Sequence, residues 1–161
     1  MNKIRILVAD DHAIMRDGIR AMLSIYGDLE VVGEAANGEE AVAKALELQP
    51  DIIIMDTSMP GIDGIEATRR IVKKIPKAKV LILAEYSNRE YIVSAIKAGA
   101  AAYVPKKAVG SELISAVRSV HESGSFLYPS AAVQLIKEYL RGAEEDPYQR
   151  LTAKEKDILR L

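Results

Sequence analysis

The chain has 161 residues, of which 49% are hydrophobic and 28% are charged, and its net charge at pH 7 is −1. This composition excludes a wholly disordered chain, and no apolar run reaches the roughly 18 residues that a membrane span needs. The absence of cysteine excludes disulfides and thiolate metal sites and fits a reducing compartment, so we expect a cytoplasmic protein without a secretory signal or a membrane partner.

Strand patterns and helical patterns alternate along the first part of the chain. In chain order they predict a strand over 4–9, a helix over 12–26, a strand over 30–35, a helix over 39–48, a strand over 51–56, a helix over 63–74, a strand over 79–84, a helix from Ser87 to about residue 98, a strand over 102–104 and a helix over 111–123. Nearly continuous apolar strands that alternate with helices are typical of a parallel sheet covered on both faces. We therefore expect a doubly wound α/β fold, with a ligand crevice at the carboxyl ends of its strands.

The pattern changes after Ser123. Residues 124–150 are turn-rich and polar apart from one predicted helix over 130–141, as is typical of a linker. A capping-box pattern at Thr152 opens a further helix. Because so short a helix is not stable alone, we expect residues 151–161 to be the start of a second, truncated all-α domain.

Charged residues stand at the carboxyl ends of three predicted strands. Asp10 and Asp11 follow the first strand, Asp56 ends the third, and Lys106 comes after the fifth. A single aspartate after a strand is usually a helix cap or a turn residue, but here the charged residues should all reach one crevice. Carboxylates of this kind suit Mg²⁺, and a carboxylate can also attack phosphorus to form an aspartyl phosphate. Asp56 ends the most apolar strand and is the expected nucleophile.

Three segments of the chain resemble a known family. They read Val8-Ala9-Asp10-Asp11-His12, then Met55-Asp56-Thr57-Ser58-Met59-Pro60-Gly61-Ile62-Asp63-Gly64, and Ala98-Gly99-Ala100-Ala101-Ala102-Tyr103-Val104-Pro105-Lys106. On these motifs residues 1–123 resemble the receiver domain of two-component response regulators, which has a flavodoxin-like (βα)5 fold. The first segment and the end of the chain are similar to the NarL/FixJ subfamily. That resemblance implies a linker over 124–150 and the first helix of a LuxR-type helix-turn-helix domain over 151–161.

The resemblance implies a role for each charged residue. Asp56 would accept the phosphoryl group of a sensor histidine kinase. Asp10, Asp11 and Asp56 would hold Mg²⁺ together with the main-chain carbonyl of Ser58, and Lys106 would contact the phosphoryl group. Such a receiver assists only its own phosphorylation and dephosphorylation, so it is not expected to be an enzyme with a separate substrate.

One position departs from the family's pattern. The family usually has Thr or Ser at the end of the fourth strand, where this chain has Ala84. The usual hydroxyl donates a hydrogen bond to the phosphoryl group, and its movement admits the aromatic switch residue, which here is Tyr103. Alanine has no donor, although Ser87 stands three residues on. An alternative therefore stays open, in which the receiver switches weakly, or acts through protein contacts without phosphorylation.

A Mg²⁺-dependent phosphatase with an aspartyl intermediate is a third hypothesis. Such enzymes usually carry a second aspartate two residues after the nucleophile, and Ser58 stands at that place. A nucleotide-binding module is less favoured, because no glycine-rich phosphate loop follows the first strand.

We expect DNA to be a partner of the full-length protein only. Basic and acidic residues are equally frequent over 137–161, and that stretch holds no recognition helix. The predicted helix over 130–141 has an apolar side, and symmetric DNA half-sites favour two-fold dimers. A homodimer is therefore expected on activation.

Overall fold

The computed structural model describes residues 3–85, 89–108, 110–127, 136–137 and 139–140. Its strands are β1 (Ile4–Ala9), β2 (Leu29–Ala35), β3 (Ile52–Asp56), β4 (Lys79–Ala84), β5 (Ala102–Pro105) and β6 (Phe126–Leu127). Its helices are α1 (Ala13–Leu23), α2 (Gly38–Leu48), α3 (Gly64–Lys74), α4 (Arg89–Lys97) and α5 (Ser111–Ser123), and one turn of 3₁₀ helix spans Lys106–Ala108. Within these described ranges, no helix combines the length and the apolar character that crossing a membrane requires.

The strands form one parallel sheet in the order β2-β1-β3-β4-β5-β6. Their side chains alternate between two buried clusters, as the period of two residues in a strand requires. Along β1, Leu7 and Ala9 join the cluster that includes buried residues of α2, α3 and α4, whereas Ile6 and Val8 join the cluster of α1 and α5. Helices therefore cover both faces of the sheet, and the predicted flavodoxin-like, doubly wound α/β fold is confirmed.

Side-chain caps set the starts of two helices beside the carboxyl edge of the sheet. Asn37 accepts a hydrogen bond from the backbone N–H of Glu40 at the start of α2 (2.8 Å). Asp63 accepts one from the backbone N–H of Glu66 at the start of α3 (2.8 Å). Each cap satisfies an amide that has no partner within its helix, and so ends a loop at a defined residue.

The first helix is shorter than the sequence predicts. It ends at Leu23 and not near residue 26. The backbone N–H groups of Ile25 and Tyr26 donate to carbonyls three residues back, at 3.4 and 3.2 Å. Hydrogen bonds to the third residue back are those of a 3₁₀ turn and not of an α-helix, so the α-helix has ended by this point. The sequence predicts a longer helix because its apolar periodicity continues past Leu23.

The sheet has one more strand than the sequence predicts. Phe126 and Leu127 lie in the stretch predicted as the start of the linker, but they pair in parallel with β5. The N–H of Phe126 donates to the carbonyl of Ala101 at 3.0 Å. Two residues are too few to show the alternation that reveals a strand in a sequence.

Several predicted features lie outside the described residues. These are the helix cap at Ser87, most of the helix over 130–141, and the segment 151–161. Within 130–141 the structure describes residues that are all helical, namely Ile136, Lys137, Tyr139 and Leu140. The boundaries at 123 and 150 therefore stay predictions.

Candidate functional site

Three charged side chains meet at the carboxyl edge of the sheet. Asp10 follows β1, Asp56 ends β3, and Lys106 opens the 3₁₀ turn after β5. Because β1 and β3 are parallel neighbours, their ends bring the two aspartates together. Lys106 Nζ lies 3.1 Å from Asp56 Oδ1 and 3.8 Å from Asp10 Oδ2. The structure thus unites residues that are 46 or more positions apart in the sequence.

Both carboxyl groups are buried, and each has one oxygen that accepts no hydrogen bond from a described residue. The side chains of Asp10 and Asp56 are 1% exposed, against 11% for Lys106. The Oδ1 atoms accept backbone N–H groups two residues on, from His12 to Asp10 (2.8 Å) and from Ser58 to Asp56 (3.2 Å). Among the described residues, no group donates a hydrogen bond to Oδ2 of Asp10 or of Asp56. A buried acceptor left in this state costs free energy, so this edge of the sheet favours a ligand that is cationic or donates hydrogen bonds.

The charges at this edge shift one another's pKa values. Burial, and then the negative charge of Asp10, raise the pKa of Asp56 above its ordinary value, against the hydrogen bonds from Lys106 and Ser58. Burial acts to lower the pKa of Lys106. The hydrogen bond to Asp56, the negative charge of Asp56 and the smaller effect of the charge of Asp10 outweigh burial, so that the pKa of Lys106 is raised. Lys106 is therefore held as a cation, and it offsets only part of the negative charge.

Asp11 and His12 form the outer rim of this group. The Asp11 side chain is 29% exposed and the His12 side chain 63%. One potential ligand atom each from Asp10, Asp11, His12 and Asp56 lies within 4.8 Å of the others. We call these four residues the acidic cluster.

The acidic cluster fits the Mg²⁺ that the sequence predicts. Mg²⁺ is held in proteins by one or two carboxylates, with water and phosphate oxygens completing its shell. The two unpartnered Oδ2 atoms, on Asp10 and Asp56, are oxygens of this type. Ser58, the fourth predicted ligand through its carbonyl, is tied to Asp56 by its own N–H.

Backbone contacts hold the loop that follows Asp56. The N–H of Thr57 donates to the carbonyl of Leu83 on β4 (3.3 Å), and the N–H of Gly64 donates to the carbonyl of Thr57 (3.1 Å). A Cβ atom at position 64 would overlap the carbonyl oxygen of Asp56. Glycine at the first position of α3 therefore lets the helix start directly against the end of β3.

Ala84 lies at the edge of the site. The register of the sheet pairs Leu83 with Asp56, and it pairs Ala84 with Pro105, the neighbour of Lys106. Ala84 is 1% exposed and belongs to the buried cluster on the α2, α3 and α4 side of the sheet. The position that departs from the family's pattern is thus next to both of the groups predicted to meet a phosphoryl group.

Tyr103 lies inside the core. It is 1% exposed, and it belongs to the same buried cluster as Ala84, Ile92 and Ala95. Burial, with a smaller contribution from Tyr91, raises the pKa of Tyr103 to about 12. The predicted switch residue is therefore turned inward between the sheet and α4.

The raised pKa predicts a loss of stability in alkali. The neutral phenol is favoured in the folded chain, so Tyr103 stabilises the fold fully below the unfolded pKa near 10 and loses that effect as the pH rises towards 12. At pH 11 the loss should be about 1.4 kcal/mol. Urea unfolding at pH 9 and pH 11 measures it, and Tyr103→Phe should lack this part of the decline. An equal decline in both proteins would contradict the prediction.

One residue of the site was missed from the sequence. Arg16, in the second turn of α1, donates from its guanidinium to the carbonyl of Asp10 at 2.6 Å and to Glu34 at 3.3 Å. It fixes the main chain from which Asp10 projects. The sequence carries no signal for this contact, because an arginine on a helix is usually solvated.

Comparisons with known proteins identify the family of the chain. A profile of the response regulator receiver domain matches residues 6–118. The chain is 39% identical to the oxygen regulatory protein NreC of Staphylococcus carnosus, over 98% of this chain and 76% of that protein. It is 40% identical to the response regulator protein VraR of Staphylococcus aureus, over 98% of this chain and 75% of that protein.

Solved structures give the same result. The crystal structure of a two-component response regulator of the LuxR family from an Aurantimonas species has a TM-score of 0.80 and 34% identity, over 86% of this chain and 99% of that one. The receiver domain of the putative response regulator NarL from Mycobacterium tuberculosis has a TM-score of 0.73 and 30% identity, over 76% of this chain and 99% of that one. The family prediction is confirmed, and the phosphorylation-independent alternative is not favoured. The chain belongs to the response regulator receiver family, as a NarL/FixJ-type regulator that acts in a two-component phosphorelay and controls transcription.

Proposed function

We propose that Asp56 is the phosphoryl acceptor of this regulator and that Lys106 contacts the transferred group. The observation that carries the proposal is the pairing of Asp56 with Lys106 at 3.1 Å, while Asp56 Oδ2 has no hydrogen-bond partner among the described residues. One carboxylate oxygen is thus held by a cation and by the N–H of Ser58, and the other is left for chemistry.

The transfer uses the groups in this order. Asp56 Oδ2 forms a bond to phosphorus as the bond from phosphorus to the donor's histidine nitrogen breaks, and the released imidazole takes up a proton from water. The Lys106 ammonium offsets charge on the phosphoryl oxygens during the transfer. Its raised pKa keeps it charged for this role. The chain thus assists its own phosphorylation. It also assists its own dephosphorylation, in which water attacks the phosphorus of the aspartyl phosphate, and it has no separate substrate.

The metal part of the proposal rests on the acidic cluster. Asp10, Asp11 and Asp56 would hold Mg²⁺, with the carbonyl of Ser58 as a further ligand. Mg²⁺, when bound, offsets the negative charge of the carboxylates and of phosphoryl oxygens. The buried Oδ2 atom of Asp10, which accepts no hydrogen bond from a described residue, supports this assignment.

The wider assignments follow the family. Response regulators are phosphorylated by sensor kinases, and LuxR-type members bind DNA and dimerise. We infer the same partners here: a histidine kinase, a second copy on activation, and DNA through the full-length protein. Residues 1–123 would form the receiver, 124–150 the linker, and 151–161 the first part of the DNA-binding domain, in a cytoplasmic protein.

Intact-mass spectrometry tests the acceptor. The chain is incubated with acetyl phosphate, with or without Mg²⁺, and should gain the mass of one phosphoryl group only when Mg²⁺ is present. Asp56→Asn should abolish the gain because the nucleophilic oxygen is lost. Asp63→Asn is the matched control, since asparagine also caps a helix and Asp63 lies exposed at the start of α3. A gain that persists in Asp56→Asn, or no gain in the folded native chain, would contradict the proposal.

A further inference from the structure

We propose that Arg16 is a positioning residue for the metal site, and that its guanidinium holds the main chain of Asp10 in the place from which the carboxylate can bind Mg²⁺. A guanidinium has no free lone pair for a metal, so Arg16 acts through Asp10 and is not a ligand itself. The inference deepens the proposed function and rests on it, because it takes Asp10 to be a Mg²⁺ ligand.

The main chain of Asp10 is held through both its N–H and its carbonyl. The N–H donates to the carbonyl of Ala35 at the end of β2 (2.9 Å), and the carbonyl accepts a hydrogen bond from Arg16 Nη1 (2.6 Å). The first contact continues the pairing of β1 with β2, in which Ala9 lies beside Ala35. The second contact comes from a helix outside the sheet, so it is the one of these two restraints that depends on a side chain.

Arg16 is itself anchored to β2. Its Nε donates to Glu34 Oε1 at 3.3 Å, and Glu34 precedes Ala35, which holds the N–H of Asp10. The main chain of Glu34 is fixed in turn by Lys44 of α2, whose Nζ donates to the Glu34 carbonyl at 2.6 Å. A planar guanidinium that makes two such contacts has a defined orientation. We call Arg16 and Glu34 the anchor pair, since together they tie the Asp10 carbonyl to the end of β2.

The place of the Asp10 carboxylate follows from the place of its main chain. The side chain is 1% exposed and its Oδ1 accepts the N–H of His12 (2.8 Å), so it has little freedom to adjust. Mg²⁺ demands near-ideal octahedral geometry and is therefore sensitive to where a ligand stands. Groups that orient a ligand without touching the metal commonly contribute about 10–100-fold to metal affinity. We therefore expect the anchor pair to set the affinity for Mg²⁺ and not the chemistry at Asp56.

A purely structural role for Arg16 predicts a different result. Arg16 connects α1 to the sheet, and loss of that connection alone would lower the free energy of unfolding but leave the Mg²⁺ affinity of the folded chains unchanged. Arg20 is the matched control, because it lies one turn further along α1 and its Nη1 is 3.0 Å from Oε2 of the same Glu34. Its guanidinium contacts Glu34 and Asp17, and within the described part of the chain no hydrogen bond joins it to Asp10.

NMR titration with MgCl₂ measures the affinity without any phosphorylation, and urea unfolding in a chelator shows that each variant is folded. Arg16→Met should weaken Mg²⁺ binding about tenfold or more, and Arg20→Met should stay within about twofold of the native chain. Glu34→Gln should cause a smaller loss, because Arg16 keeps an acceptor there. The double variant Arg16→Met/Glu34→Gln should lose no more than Arg16→Met alone, since Glu34 acts through Arg16.

The rate of phosphorylation by acetyl phosphate gives a second readout. In Arg16→Met the Mg²⁺ concentration for half the maximal rate should rise by the same factor as the dissociation constant, while the rate at saturating Mg²⁺ stays within about twofold of native. Native Mg²⁺ affinity in Arg16→Met, tighter binding, or an equal loss in Arg20→Met would overturn the inference, while the native chain still binds Mg²⁺ and is phosphorylated on Asp56. If the native chain binds no Mg²⁺, the metal part of the proposed function fails, and the inference fails with it.

Discussion

Replacing Lys106 with methionine is expected to lower the rate of phosphorylation of Asp56 by about a hundredfold or more, the usual cost of removing one positioned electrostatic donor. Methionine keeps much of the length and apolar stem of lysine but has no charge. The substitution removes the ammonium that lies 3.1 Å from Asp56 Oδ1. The charge on the phosphoryl oxygens would then no longer be offset by Lys106 during the transfer. Mass spectrometry at timed intervals with acetyl phosphate measures the rate.

The same substitution should destabilise the metal-free protein. Removing one partner of a buried charge pair costs about 3–5 kcal/mol, because the other charge is left uncompensated. Asp56 already has a raised pKa, and without Lys106 that pKa rises further. The folded state then binds protons that the unfolded state has released, so the contribution of Asp56 to stability is fully present below its unfolded pKa of about 4 and is lost as the pH rises through the folded pKa.

Lys107→Met is the matched control for both measurements. Lys107 is the next residue along the 3₁₀ turn and is exposed. It should leave the phosphorylation rate and the free energy of unfolding nearly unchanged. If the two methionine variants behave alike, the role given to Lys106 is wrong.

Replacing Ala84 with threonine is expected to tighten the binding of a phosphoryl mimic, beryllofluoride, by about ten- to a hundredfold relative to Ala84→Val. Threonine and valine have nearly the same shape, so their difference isolates one hydroxyl donor. A hydrogen bond to a charged group contributes about 1.5–3 kcal/mol. Position 84 pairs in the sheet with Pro105, the neighbour of Lys106, so the comparison tests whether a hydroxyl at this position reaches the bound mimic.

The valine variant also measures the cost of added volume. Ala84 is 1% exposed in the cluster that holds Tyr103, so either larger side chain must displace its neighbours. Fluorescence or NMR titration with Mg²⁺ and beryllofluoride gives the affinities of all three proteins. Equal affinities for threonine and valine would mean that no donor from β4 reaches the phosphoryl group.

The bounds of helices and strands could be predicted from the sequence where apolar residues recur with a regular period. β1, β4 and α5 have the bounds predicted for them, because their apolar residues follow the periods of a strand and of a helix. The convergence of Asp10, Asp56 and Lys106 was also predictable, since parallel strands bring their carboxyl ends to one edge. Topology alone connects these residues, and topology is readable from the order of elements.

Other features depend on contacts that no local pattern reveals. The guanidinium of Arg16 donates a hydrogen bond to the carbonyl of Asp10 and so connects α1 to the end of β1. The residues next to Arg16 in the sequence do not predict this hydrogen bond. Tyr103 lies in a buried cluster that also holds the small residues Ala84 and Ala95, which are distant from it in sequence or on other elements. The ring of His12 adjoins two carboxylates because the chain turns at the start of α1, which a motif cannot specify.

The close contact between Gly64 and the carbonyl of Asp56 connects the phosphorylation site to α3. Because no side chain separates them, the start of α3 lies directly against the end of β3, and a shift at Asp56 would press on the first turn of α3. A helix of 11 residues is about 16 Å long, so a small tilt at its first turn is magnified at its far end. Lys73 and Lys74 are exposed at that end. The surface around them is therefore where a displacement that begins at Asp56 would be largest, and where a partner could sense it without approaching the acidic cluster.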